Sequence, residues 1–291
     1  MRFSNSMLGI EVEDYAAIAQ AVEAAGFHSV SLSDHIFYPQ TLTSRYPYTP
    51  DGKPQYDPEE SWPDPWVMCG LMAPATTTLQ FMTSVYIAPL RNPFVTAKAV
   101  GTAARVTNNR VILGIGAGWM REEFDAMEQQ FEKRGARTEE IIEVLRTLWR
   151  GGYVEHHGTY YDFDPLTISP VPTEPVPIYI GGSSPHALRR AARYGDGWMG
   201  MYLTVEQIRE IIPVIRRELE EAGRADEPFE IGCSPLIVPH PELVAELEEI
   251  GLTTILTSAW IAKGVMRAGR EQAIELVESF GERFIAPVAG R

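Results

Sequence analysis

Short apolar runs and longer amphipathic runs alternate eight times along this chain. The short runs, Arg2 to Ser6, Ser29 to Ser33, Leu79 to Ile87, Val111 to Ile115, Val176 to Ile180, Gly197 to Met201, Phe229 to Val238 and Thr253 to Thr257, read as strands. Helical patterns lie between and after them: Glu13 to Ala25, Asp64 to Pro74, Pro93 to Thr107, Arg121 to Trp149 (one helix or two), Pro185 to Tyr194, Val205 to Ala222, Pro241 to Ile250 and Glu271 to Phe280. Thr204 before "VEQIREII" and Ser184-Pro185 before "HALRRAA" are helix-start signals. Parallel strands need right-handed crossovers, and eight such units close into a ring. The expectation is an α/β chain forming a (β/α)8 TIM barrel, as one domain over residues 1–291. An open doubly wound sheet is the alternative, with fewer strands as a rule. Two stretches exceed ordinary connections, Ile36 to Pro63 after the second strand and Gly151 to Pro175 after the fourth, where "YVEHHGTYYDFDP" suits a hairpin.

Composition narrows the partners. A net charge of -14 opposes binding to nucleic acid or an anionic membrane, since both need a basic surface, and favours a small-molecule partner. Cys69 and Cys233 stand far apart with no metal-spaced histidines beside them, so neither a disulfide framework nor a metal site is expected. "MRFSNSMLGIEVEDYA" has no hydrophobic signal segment and no long apolar run follows, which fits a cytoplasmic setting.

In a barrel of this kind chemistry sits at the C-terminal ends of the strands. The residues that follow the strands are Asp34-His35, "APLRNP", "GAGWMREEF", "GGSSP" and "GDGWMGMY", all on one rim. "GGSSP" ends a strand and opens a helix, a setting for an anion at free backbone amides or, equally, a tight turn with Ser184 as N-cap. "GIGAGW" lacks the lysine of a phosphate loop and does not open the first strand-helix unit, so it is neither a P-loop nor a dinucleotide fingerprint. Asp34-His35 alone reads as an ordinary rim pair, and Arg189, Arg190 and Arg193 as a solvated helix face. A metal-dependent barrel hydrolase would need converging ligands, and the first strand ends in "SNSMLG" without an H-x-H pair.

Together, "VEAAGFHSVSLSDH", "TSVYIAPLRNPFVTAKAVGTAARVTNNRVILGIGAGW" and "PIYIGGSSPHALRRAARYGDGW" resemble, in order and spacing, the bacterial luciferase-like flavin monooxygenase superfamily, and within it the deazaflavin-dependent oxidoreductases that use coenzyme F-420. The resemblance implies that Gly181, Gly182 and Ser183 hold a cofactor phosphate, that Ser84-Val85 is a non-prolyl cis peptide bulging behind the ring, and that Asp34 and His35 lie against the ring system. Gly116 and Gly118 would let the backbone approach a flat ring, Trp198 would wall that ring or fill the barrel, and Trp119, Glu122 and Glu123 would point to the mouth. His35, Trp119 and Glu123 are the catalytic candidates. Deazaflavin-dependent sugar phosphate dehydrogenases carry a glutamate at the position of Trp119, so this chain departs from that pattern.

The activity so implied is hydride transfer between the deazaflavin C5 and a small organic substrate. The alternatives are an FMN-dependent monooxygenase served by a flavin reductase partner, and a non-catalytic flavin-binding protein. A homodimer is expected in either case, and the aromatic stretch from Ile36 to Pro63 is expected to form a substrate wall, a self-packed loop or a dimer contact.

Overall fold

The computed structural model describes residues 1–288; the last three residues of the domain expected over 1–291 lie outside the described residues. The strands are β1 (Arg2–Ser6), β2 (Ser29–Leu32), β3 (Gln80–Thr83), β4 (Tyr86–Ile87), β5 (Val111–Gly116), β6 (Val154–His157), β7 (Asp162–Leu166), β8 (Ile178–Gly181), β9 (Gly197–Leu203), β10 (Glu230–Pro235) and β11 (Thr254–Thr257). The helices are α1 (Tyr15–Ala24), α2 (Pro65–Met72), α3 (Pro93–Val106), α4 (Arg121–Ala126), α5 (Arg134–Leu148), α6 (Pro185–Tyr194), α7 (Val205–Glu221), α8 (Pro241–Glu249) and α9 (Arg270–Phe280).

Nine parallel strands run in the order β3-β2-β1-β11-β10-β9-β8-β5-β4, and β3 also pairs with β5, which closes the ring. Because β3 and β4 are two halves of one stave, the ring has eight staves and is the expected (β/α)8 barrel. The third stave, expected as one run, is broken at Ser84-Val85, whose peptide bond is cis. Between the pairs Met82↔Ile112 and Tyr86↔Ile115 the broken stave spends four residues against three on β5, so one residue bulges out of the ladder.

Helix starts follow the sequence signals. Asn92 and Ser184 each cap a helix whose first residue is proline, and Thr204 with Gln207 forms a reciprocal capping box. The long amphipathic run from Arg121 to Trp149 is two helices, α4 and α5, because Glu128 and Lys133 take left-handed φ values of 53° and 59° between them. Apolar side chains on the outer face of the barrel pack under the helices, with Phe81, Ile115, Ile180 and Trp198 fully buried. A smaller cluster, Met82, Ile112, Met199 and Leu256, fills the inside.

The insertion after the fourth stave contains the expected hairpin, β6 against β7. Glu140 on α5 accepts hydrogen bonds from the backbone amides of Thr159, Tyr160 and Tyr161 at 2.7–3.0 Å, and Phe163 packs edge-on against Phe94 of α3. The hairpin is therefore fastened to the outside of the helix layer, away from the strand ends.

Gly114 on β5 faces the backbone of β3: a Cβ there would collide with the Thr83 carbonyl oxygen, which neither strand can move. Gly114→Ala is expected to cost about 2 kcal/mol of stability through forced strand separation. A urea unfolding curve with an unchanged midpoint would show that the contact is not as tight as described.

Candidate active site

A cavity of about 1110 Å³ opens at the C-terminal ends of the barrel strands. Hydroxyl groups ring it: Ser6 from β1, Ser31 from β2, Ser84 from the bulge, Ser234 from β10 and Ser258 after β11. Pro47, Tyr48, Thr49, Pro50 and Gln55 of the first insertion form part of its wall, whereas no residue of the second insertion reaches it. No Asp, Glu, Lys, Arg or His is among the residues that line it.

The turn after β8 contributes Gly182, Ser183 and Ser184. Gly182 has φ +110°, a value that favours glycine, and its amide donates to the Met199 carbonyl at 3.2 Å. Ser184 Oγ accepts from the Ala187 amide at 3.3 Å and so caps α6, while the Ser183 hydroxyl is buried with no hydrogen-bond partner. A buried hydroxyl left unpaired at a helix N-terminus has its bonding capacity free for a ligand. Trp198, expected either to wall a ring or to fill the barrel, is not among the residues that line the cavity. Met199 packs in the barrel interior, so strand alternation turns Trp198 outward, where it is fully buried and donates Nε1–H to the Gly182 carbonyl at 2.7 Å. It holds the turn from behind.

Ser84 lines the cavity, and Val85 beside it packs over two glycines. A Cβ on Gly181 would stand 2.6 Å from Val85 Cγ1, and one on Gly116 would collide with Val85 Cγ2. The missing side chains at Gly116 and Gly181 therefore make room for Val85, and the expectation that Gly116 admits a flat ring directly is corrected. Gly118, at φ +83°, leaves space instead for Phe124 and Ile87, 2.7 and 2.8 Å from where its Cβ would be.

Asp34, expected to lie against the ring system, spends its carboxylate on a structural tie. Its two carboxylate oxygens take a bidentate pair from Arg91 at 2.6 and 2.7 Å, and Oδ2 also accepts from the Ile87 amide at 2.9 Å. Burial presses the Arg91 guanidinium toward losing its proton, yet Asp34 more than offsets this and raises its pKa. Of the helix arginines, Arg189 pairs with Glu218 and Arg190 with Glu139.

His35, Glu123 and Trp119 do come together, in a cluster beside the cavity rather than in its lining. Glu123, fully buried on α4, accepts from the Ile36 amide at 2.7 Å and faces His35 Nδ1 at 3.1 Å. A carboxylate only accepts, so with Glu123 ionised the proton sits on Nδ1 and Nε2 is left to accept from the Tyr56 hydroxyl at 3.0 Å. Trp62 and Trp119 meet the imidazole edge-on at 5.0 and 6.0 Å, and Tyr46 meets Trp119 at 5.1 Å. Burial raises the Tyr46 and Tyr56 phenols, which stay neutral donors. The aromatic insertion is thus a lid over His35 as well as a cavity wall.

The roles of Tyr56, Arg91 and Tyr202 escaped the sequence reading, where the three stand only within the aromatic stretch from Ile36 to Pro63, "APLRNP" and "GDGWMGMY". Arg91 had a signal, since "APLRNP" follows a strand; Tyr56 lies twenty-one residues from His35 in an aperiodic loop, and Tyr202 is marked by a φ of 52° that no residue type announces.

The molecule is thus a closed parallel barrel with a polar, glycine-cradled mouth and a bulged third stave. The chain belongs to the luciferase-like monooxygenase family, whose model matches residues 3–273. A protein of Mycobacterium tuberculosis is 36% identical over 290 residues, 99% of this chain and 100% of that protein. The F-420-dependent glucose-6-phosphate dehydrogenase of Nakamurella multipartita is 30% identical over 284 residues, 96% of this chain and 78% of the enzyme. Among solved structures, an F-420-dependent secondary alcohol dehydrogenase in complex with an F-420-acetone adduct superposes with a TM-score of 0.77 at 18% identity, covering 98% of both chains. That likeness shows the fold.

Glu122, next to Glu123, anchors the other end of the lid: Oε1 accepts from the Thr43 amide and hydroxyl at 2.6 Å each and from the Ser44 amide at 3.0 Å. Burial pushes its carboxyl up, but these bonds outweigh that and hold it at about 2, below the ordinary 4.5. A depressed carboxylate contributes fully above its unfolded value and loses that contribution as the pH falls through its folded one. Protection of residues 36–63 from limited proteolysis by pepsin is therefore expected to weaken between pH 4.5 and about 2, and Glu122→Gln to abolish that dependence. A variant with the same acid response as the parent would disprove the assignment.

Proposed function

We propose that this protein is an oxidoreductase that binds coenzyme F-420 at the barrel mouth and transfers hydride between the cofactor and a small organic substrate. The observation that carries the reading is the unpaired, buried Ser183 hydroxyl at the N-terminus of α6, on a turn whose Gly182 carbonyl is fixed by Trp198. Gly182, Ser183 and the first turn of α6 would hold the cofactor phosphate, with hydroxyl and amide donors instead of cations. Val85, seated over Gly116 and Gly181, would back the ring. The deazaflavin, when bound, supplies a carbon that gives or takes a hydride.

The chain supplies position and a base: when an alcohol gives its hydride to the cofactor, the hydroxyl proton passes to His35 Nε2, and the reverse step returns both. Glu123 keeps His35 oriented with Nδ1–H directed at it, so Nε2 becomes available to a substrate oxygen when the Tyr56 hydroxyl turns aside. Trp62, Trp119 and Tyr56 exclude water from that imidazole, whose side chain is only 10% exposed. Relatives described as F-420-dependent support this reading over the FMN-dependent one.

Fluorescence titration of the purified protein with F-420 and with FMN, each oxidised and reduced, separates the readings. F-420 is expected to bind at least about tenfold tighter. FMN binding tighter by that factor would overturn the proposal in favour of a monooxygenase fed by a reductase, and failure of both would remove the cofactor altogether.

Ser183→Ala is expected to weaken F-420 binding by about fivefold to tenfold, the worth of one hydrogen bond to a charged group, with an unchanged melting temperature. An unaltered affinity would remove Ser183 from the site.

A further inference from the structure

The hydroxyl ring of the mouth cavity is interrupted by an apolar stretch after β9, β10 and β11, made of Leu203, Leu236, Ile237, Val238 and Ile261. Leu236, Ile237 and Val238 form an uninterrupted apolar lip between Pro235 and Pro239 and are 59%, 51% and 43% exposed. The lip is held to the barrel where the Leu236 amide donates to the Leu203 carbonyl at 2.9 Å.

We infer that this apolar stretch is the substrate site and that it takes an uncharged, lipophilic molecule whose polar group is a single hydroxyl or carbonyl. The inference rests on the proposed function, which assigns the neighbouring Gly182–Ser184 turn after β8 to the cofactor phosphate. Three observations carry it. The volume of about 1110 Å³ exceeds the space that one drug-sized ligand fills, so a second molecule has room beside the first. Among the described residues no Asp, Glu, Lys, Arg or His lines the cavity, and the donors of the Gly182–Ser184 turn are assigned to the cofactor, so a phosphate or carboxylate on the substrate would be stripped of water with no cation to receive it. Three consecutive exposed aliphatic side chains at a cavity mouth lose unfavourable contact with water when an apolar ligand covers them.

The backbone at the end of β9 is shaped to widen that wall. In a regular strand alternate residues face opposite sides, yet Met201, Tyr202 and Leu203 all reach the cavity. Tyr202 takes φ 52° at this point, a left-handed value uncommon for an aromatic residue, and the irregular register between β9 and β10 falls at Leu203↔Pro235. A hydroxyl or carbonyl on the substrate would find neutral donors there: burial raises the Tyr202 and Tyr48 phenols, so both keep their protons.

The test uses the full chain, with F-420 binding measured first by fluorescence. Displacement of the neutral dye Nile red from the F-420-loaded protein is then followed with a series of secondary alcohols, starting from isopropanol and lengthening by one methylene at a time. Matched straight-chain carboxylates and a hexose phosphate serve as charged controls. Alcohol affinity is expected to rise by about threefold to fourfold per methylene until the wall is filled, and the charged controls to displace the dye at least about a hundredfold more weakly.

Ile237→Asn, on the exposed lip, is expected to lower alcohol affinity by about tenfold without changing F-420 affinity, and Ile237→Leu to retain it. An affinity independent of chain length, or a carboxylate or phosphate that binds as well as its alcohol, overturns the inference. If F-420 fails to bind while the alcohols still compete with steep chain-length dependence, the cofactor reading falls and the lipophilic site stands; if F-420 binds and the series is flat, the reverse holds.

Discussion

Val85 projects between two strands that have no side chain to offer at that height, one of its methyls filling the place of a Cβ on Gly116 and the other that of a Cβ on Gly181. The two glycines lie at the ends of β5 and β8, which are paired neighbours, so one valine sets the spacing of three staves. Without that cradle the bulge at Ser84-Val85 would have to move into the cavity, and the floor on which a flat ligand could rest would be lost. The opposite flank is tied as firmly. Asp34, just past β2, grips Arg91 with both oxygens and the Ile87 amide with one of them, and the Arg91 guanidinium lies 4.2 Å above the Tyr86 ring. The bulge is thereby fixed by close packing on one side and by a buried ion pair on the other, and breaking either partner of that pair would leave a charge without compensation.

Two adjacent carboxylates on α4 divide the work on the insertion above the mouth. Glu123 points inward, to His35 and the Ile36 amide, and Glu122 reaches Thr43 and Ser44. One short helix thus fastens the loop at its start and again seven residues later. Between and beyond those points the loop is held by edge-to-face contacts among Tyr46, Tyr56, Trp62 and Trp119. Aromatic contacts of this kind are individually weak and tolerate sliding, whereas the carboxylate anchors do not. The far end is tied as well, by Asp57 to Arg267 at 2.7 Å and by Glu60, which accepts from the Gly9 amide at 3.1 Å, so the Tyr56 segment is held at both sides of the ring contacts.

The barrel was legible because its signals are local and repeated. Strand and helix runs, the proline-led caps at Asn92 and Ser184, and the Thr204 box each depend on a few consecutive residues. The alternation of β9 also carried the answer for Trp198, since a residue next to the inward Met199 must face the helices. What escaped depends on contacts between distant segments. Nothing in the sequence near Gly116 says that a valine thirty-one residues earlier occupies the space above it, and nothing near His35 says that a tyrosine from an irregular loop closes on its Nε2. The resemblance to luciferase-like proteins supplied the bulge at Ser84-Val85; that Asp34 is spent on Arg91 depends on a residue fifty-seven positions later and is not marked near it in the sequence.

The charge of the molecule and the neutrality of its mouth are related. With a net charge of -14, the protein's long-range field opposes any anionic ligand, a deazaflavin phosphate included. A lysine or arginine ring at the mouth would reverse that field locally, but none lines the cavity, and Arg189 and Arg190 on the nearest helix are already engaged with Glu218 and Glu139. Capture of an anion must then rely on short-range donors: the first amides of α6 and the Ser183 hydroxyl, set in place by Gly182 and Trp198. Such bonds act over a few ångströms and are little screened by salt, while the repulsion they work against is long-ranged and is screened within about a Debye length. Added salt would therefore remove more of the penalty than of the attraction, the opposite of what a cationic phosphate site would do, and an anion at this turn would be held by geometry where a cationic site uses charge.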